Sequence, residues 1–242
     1  LIDELLSQAT QAEAQGNQKQ AELCYRKALA KDSRNYRLYL KLASLYLEKP
    51  DLHRASNCFE QAVRIMPSCL EAYSGLAKLY LKLNDPSSAL LSLRQSLLVA
   101  PCEEFTHSQV LRIFGCCDHR LIAFYEDLVV QSPSSAEFHY YLSRYQKEFG
   151  NSQSALEHAL ESIHLKPGDV RYRVLLISIY KDLGFLVQAL NQAEEACSVC
   201  HKDERVFHLA TSICLQMGKY DEALEVAMSA VKIEPVSWRS FY

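Results

Sequence analysis

Glycine and proline are scarce in this sequence, seven of each in 242 residues. With 49% hydrophobic and 23% charged residues, such a composition can bury a core and argues against disorder. No apolar run approaches the roughly 18–20 residues that span a bilayer; the longest lies near "VLLISIY". No charge sign dominates, with 26 Lys and Arg against 29 Asp and Glu and a net charge of −3, so no global field recruits nucleic acid. Alternating β-branched stretches are missing, which argues against sheets. The phosphate-loop pattern G-x-x-x-x-G-K, the serine elbow G-x-S-x-G and the zinc helix H-E-x-x-H are absent too. The nine cysteines are an odd number in a chain too large for a disulfide scaffold, so they read as free thiols in a reducing compartment. The chain begins at Leu1, so the lack of a leader sequence decides nothing.

What is present is a period. Prolines stand at 67, 101, 133, 167 and 235, with gaps of 34, 32, 34 and 68. Twelve residues before four of them stand Ala55, Ala89, Ala155 and Ala223, and Ala21 and Ala189 continue the ladder. Gly16, Gly150, Gly184 and Gly218 come five residues before an alanine of that ladder. Between these markers "YLKLASLYL" and "YSGLAKLYL" place apolar residues at i, i+3, i+4 and i+7, a helical spacing. A repeat of this length is a helix–turn–helix unit. The pattern predicts seven helix pairs over 2–35, 36–69, 70–103, 104–135, 136–169, 170–203 and 204–237. Ala43, Ala55, Ala62, Ala77, Ala89, Ala189 and Ala196 give clearance for close helix crossings, and Tyr39, Leu42, Tyr46, Phe59, Tyr73, Leu76 and Tyr80 fill the space between pairs.

Residues Tyr39, Leu42, Ala43, Tyr46, Ala55, Phe59, Ala62 and Pro67, with Tyr73, Leu76, Ala77, Tyr80, Ala89, Leu93, Ser96 and Pro101, resemble the tetratricopeptide repeat family. The resemblance covers essentially the whole chain. It implies an all-α, right-handed α-solenoid, one domain over 1–242, whose first helices line a concave surface. Two departures stand out. Residues 104–135 are two short of the period and carry Leu111, Leu121 and Leu128 at the small positions, so this pair is expected to be irregular, with the loss in "GCCDHR". Residues 238–242, after "VS", read as the start of an eighth first helix, which implies that the array continues.

Two stretches could carry chemistry. Cys197, Cys200 and His201 spell C-x-x-C-H, the spacing of haem attachment and of thiol redox sites. His201 stands where other repeats have proline, so the stretch is the last turn of a second helix. Its thiols lie at the negative end of the dipole, which raises their pKa. Packing cysteines are the better reading. Cys116, Cys117, Asp118, His119 and His107 could surround a metal, but adjacent cysteines rarely bind one zinc together, and an inter-helix turn fits better. No cofactor and no metal site is expected.

The columns that the resemblance places on the concave face hold Lys78, Arg112, Arg144, Lys147 and Lys181, with Arg171 and Arg205 at the edge and Ser44, Tyr140 and Ser178 as neutral partners. A basic lane on an acidic protein points to an acidic or carboxylate-ended peptide. Some relatives in that family clamp acidic chaperone tails with asparagines on this column. Thr10, Ser44 and Lys78 stand there instead, so the clamp is not reproduced. The expectation is a non-enzymatic, peptide-binding scaffold of a multi-protein complex in the cytoplasm or nucleus, with no nucleic-acid or membrane partner. The alternatives are a docking array of a larger enzyme and, behind it, a chaperone co-factor.

Overall fold

The structure, a computed structural model, describes residues 2–48, 51–115, 118–199 and 204–233. The described residues form fourteen α-helices and no strand. They are α1 (Ile2–Ala14), α2 (Gln18–Lys31), α3 (Tyr36–Glu48), α4 (Leu52–Ile65), α5 (Leu70–Lys82), α6 (Pro86–Val99), α7 (Glu104–Phe114), α8 (Arg120–Gln131), α9 (Ala136–Glu148), α10 (Ser152–Leu165), α11 (Val170–Asp182), α12 (Leu186–Val199), α13 (Glu204–Gln216) and α14 (Tyr220–Ile233). They gather into two compact units, residues 1–116 with α1–α7 and residues 117–242 with α8–α14.

The same local devices recur in several pairs. First helices stop at a residue with positive φ: Gly16 at 72°, Gly150 at 80°, Gly184 at 78° and Gly218 at 73°. In the third pair Asn84, at φ 58°, takes that place, the residue that enters this region most readily after glycine. The next residue then caps the second helix. Asn17, Asp51, Asp85 and Asn151 accept the backbone N–H three residues on, at 3.2, 3.3, 3.1 and 3.4 Å. Helices α4, α6, α8 and α10 end two residues ahead of a proline, which cannot continue the ladder.

Within each unit a helix packs on its pair partner and on the next helix, and α3 touches α5, α9 touches α11 and α11 touches α13. Small residues set the crossings. Ala21, Ala28, Ala43, Ala55, Ala62, Ala89, Ala155, Ala189 and Ala196 are completely buried. At the crossing of α9 and α10 a serine replaces alanine, and Ser143 Oγ donates to the Ala155 carbonyl at 2.7 Å. Leu42, Tyr46, Phe59, Tyr73 and Leu76 fill the core between, as the pattern predicts, while Tyr39 and Tyr80 are half-buried.

The helices of the fourth pair are shorter than those of the fifth. Helix α7 has 11 residues and α8 has 12, where α9 has 13 and α10 has 14. The connection between α7 and α8 is the longer one, 115–119 against 83–85 or 149–151. Gly115 ends α7 at φ 79°, ψ 167°, an extended exit rather than the tight turn used elsewhere. Leu121 and Leu128, at the usual small positions, are fully buried, so bulk replaces clearance here. Residues 238–242 lie outside the described residues.

Candidate functional site

Three first helices of the second unit, α9, α11 and α13, build one cleft. The i, i+4 spacing of Tyr140, Arg144 and Glu148, with Lys147 beside them, puts these side chains on one face of α9. On α11 the same logic aligns Arg171, Val174, Leu175 and Ser178. Arg205 enters from the start of α13. Together these nine residues line a cavity of about 230 Å³. Val174 and Leu175 give it apolar wall, and the rest is charge and hydroxyl.

Carboxylates engage the cations of the cleft. Arg171 grips Asp169 with two nitrogens, at 3.0 and 2.8 Å, and reaches Glu137 at 3.0 Å. Lys166 also approaches Glu137, at 3.5 Å. The Glu137 side chain is only 5% exposed, so it is a buried anion held by two cations. Hydrogen bonds from Arg171 hold the Asp169 carboxyl below the ordinary carboxylate range. Burial, then the Glu137 carboxylate, pushes the Tyr172 hydroxyl well above its usual value. The Arg171 guanidinium also lies over the rings of Tyr140 and Tyr172, at 5.7 and 5.6 Å. Lys147 pairs with Asp182 at 3.0 Å, and Lys181 donates to Ser212 Oγ at 2.8 Å. Arg144 pairs with Glu148, one turn along its own helix, at 3.1 Å.

The structure therefore brings Tyr140, Arg144, Lys147, Arg171, Ser178 and Arg205 together, with Lys181 on the same helix as Ser178. Ser44 on α3, Lys78 on α5 and Arg112 on α7 belong to the first unit and are exposed there. Lys78 lies over the half-exposed Phe105 ring, 5.9 Å from its centre. Sequence reading did not find Glu137, Glu148, Asp169 or Asp182. A signal existed for the first: Glu137 precedes Arg171 by 34 residues, one period, so the two stand side by side on neighbouring pairs.

The other candidates resolve into packing where they are described. Cys197 is half-buried on α12, and burial, then Glu194, raises its thiol pKa. Cys200 and His201 lie outside the described residues, as do Cys116 and Cys117. Among the described residues no three His, Cys, Asp or Glu side chains converge as metal ligands. His107 has a structural use that the sequence did not announce. Its Nε2 meets the Pro101 carbonyl at 2.8 Å, as His139 Nε2 meets Pro133 at 3.0 Å and the Tyr73 hydroxyl donates to Pro67 at 3.1 Å. All three stand six residues after the proline.

Comparison with known proteins agrees with this architecture. Residues 17–115 match the ChAPs family (Chs5p-Arf1p-binding proteins), and residues 205–237 match the tetratricopeptide repeat. The tetratricopeptide repeat and J domain-containing co-chaperone DNJ1 of Fusarium oxysporum f. sp. lycopersici is 23% identical over 247 residues, covering 96% of this chain and 45% of that protein. The chain thus spans about half the length of the curated relative it matches. Among solved structures, the APC/C hetero-tetramer Cut9-Hcn1 covers 95% of this chain and 46% of its own, at 13% identity and a TM-score of 0.52. Pseudomonas aeruginosa pilF covers 86% and 96%, at 14% identity and a TM-score of 0.50. Fourteen stacked helices, a 34-residue period and these likenesses make the chain a tetratricopeptide-type repeat protein. No helix among the described residues is long and apolar enough to cross a membrane.

Proposed function

We propose that the protein is a non-catalytic interaction scaffold that holds an extended or helical peptide segment of a protein partner on its first helices, and that the α9–α11–α13 cleft is the main contact. One observation carries this reading. Six side chains chosen from a periodic column, Tyr140, Arg144, Lys147, Arg171, Ser178 and Arg205, line one cavity with an apolar wall. Ser44, Lys78, Arg112 and Lys181 belong to the same reading as further first-helix contacts. The partner segment is acidic, because cations outnumber anions among the lining residues. The family matched over residues 17–115 is named for binding Arf1p, which supports a docking role for the first unit as well. The protein works within a multi-protein assembly in a reducing compartment, cytoplasm or nucleus, without nucleic acid or membrane.

A second reading is favoured by the Fusarium co-chaperone, of which this chain matches only 45%. In that reading the repeats are the docking region of a longer protein, a larger enzyme or a co-chaperone, and the cleft serves the same purpose. Site-specific photo-crosslinking tests the reading. A benzophenone side chain at Ser178, on a first helix, should capture the partner, and one at the exposed Glu157 on α10 should not. Capture should weaken as salt is raised from about 50 to 500 mM. Equal capture from Glu157, or capture from Ser178 that ignores Arg144→Glu, overturns it.

A further inference from the structure

Three of the cleft's four cations differ sharply in how their partners are held. Arg171 answers to Glu137 and Asp169, whose side chains are 5% and 13% exposed. Such buried carboxylates cannot leave without stranding a charge. Lys147 pairs with Asp182 on the neighbouring first helix, with side chains 26% and 45% exposed. Arg144 is different. Its partner Glu148 is one turn away on the same helix, and the two side chains are 44% and 41% exposed. An exposed i, i+4 pair of this kind is weak and exchanges readily. Both residues line the cavity, and Glu148 is the one anion among the lining side chains.

We infer that Glu148 occupies, on Arg144, the place of a ligand carboxylate, and that this makes the cleft select a peptide carrying a carboxylate beside an aliphatic side chain. The inference rests on the peptide-groove reading above and sharpens its ligand. The incoming carboxylate displaces Glu148 from the Arg144 guanidinium, and Glu148 turns to water. The aliphatic neighbour lies on Val174 and Leu175. The cavity, at about 230 Å³, is smaller than those that enclose a drug-sized ligand, which suits an anchoring side chain and its neighbour.

The test uses the whole chain and a displayed library of random 12-residue peptides. Enriched peptides are synthesised and titrated by fluorescence polarisation against wild type, Glu148→Gln, Arg144→Gln and Ser178→Trp, with thermal melts confirming that each variant folds. Enriched sequences should share an Asp or Glu next to Leu, Ile or Val. Arg144→Gln should weaken them about tenfold, and changing the peptide acid to its amide should then cost nothing more. Glu148→Gln should tighten them about two- to threefold. Peptides blocked by Ser178→Trp but indifferent to Arg144→Gln and Glu148→Gln would overturn this inference and leave the groove standing. Peptides indifferent to Ser178→Trp as well, or no enrichment at all, would overturn the groove and the inference together.

Discussion

Gly75 is a tight point of the first unit. A Cβ placed there would lie 2.2 and 2.3 Å from two carbons of the Phe59 ring, itself only 3% exposed. Glycine inside a helix ordinarily costs about 1 kcal/mol against alanine. Here the ring of α4 occupies the space that a methyl group would need. Gly75→Ala should therefore destabilise by about 1–3 kcal/mol, against the propensity trend. A urea midpoint equal to or above that of wild type would refute the contact. Phe185 is the opposite case. It stands one residue before α12, where Asn17, Asp51, Asp85 and Asn151 cap their helices, and it is 43% exposed. Phe185→Asp should supply the missing cap and stabilise by about 0.5–1 kcal/mol, less what the Tyr180 contact is worth, as read from the midpoint of the second unit.

At the scale of helix pairs, α9 and α10 share a titratable contact. His139 and His158 meet through their Nδ1 atoms at 3.1 Å, while His139 Nε2 meets the Pro133 carbonyl. A carbonyl only accepts, so His139 carries its proton on Nε2 and is bare at Nδ1. His158 must then donate from Nδ1. Burial, then His139, holds the His158 pKa below its ordinary value, while Glu157 and Glu161 pull it upward. The folded state thus binds a proton less readily than the unfolded chain. Stability is full above about pH 6.5 and declines as pH falls through the unfolded value toward the folded one. Denaturation of the second unit at pH 7.5 and 5.5 should show that loss, and His158→Gln should shrink it. The helices themselves were legible in sequence, because i, i+3, i+4 spacing and a 34-residue ladder constrain them directly. The bulk of the fourth pair was visible too, in Leu111, Leu121 and Leu128. The shortening of its helices was not, since a longer connection and shorter helices leave the same total. The cleft's cations were readable as a column. Their partners were not: Glu137 and Asp182 meet Arg171 and Lys147 only when the pairs are stacked, while Glu148 and Asp169, local to Arg144 and Arg171, read as ordinary exposed charge.

For the whole molecule, the sequence reading treated the basic lane as one row through repeats three to six. In the structure its members fall in two units, with Lys78 and Arg112 in the first and Arg144, Lys147 and Lys181 in the second. The second unit concentrates the carboxylates that temper them. The contact pattern described above, each helix on its pair partner and its near neighbours, bears on how the chain yields to force. Pulled from its ends, each unit has among its described residues no helix tie beyond near neighbours that must break first. Load reaches each pair through its neighbours alone, and a pair can peel away while the rest of its unit stays folded. Every 34-residue pair released adds at most about 120 Å of extended chain, so the molecule lengthens in many small steps. A partner lying along several first helices would strap those pairs together and raise the load at which they part, which makes a scaffold of this kind stiffest when it is occupied.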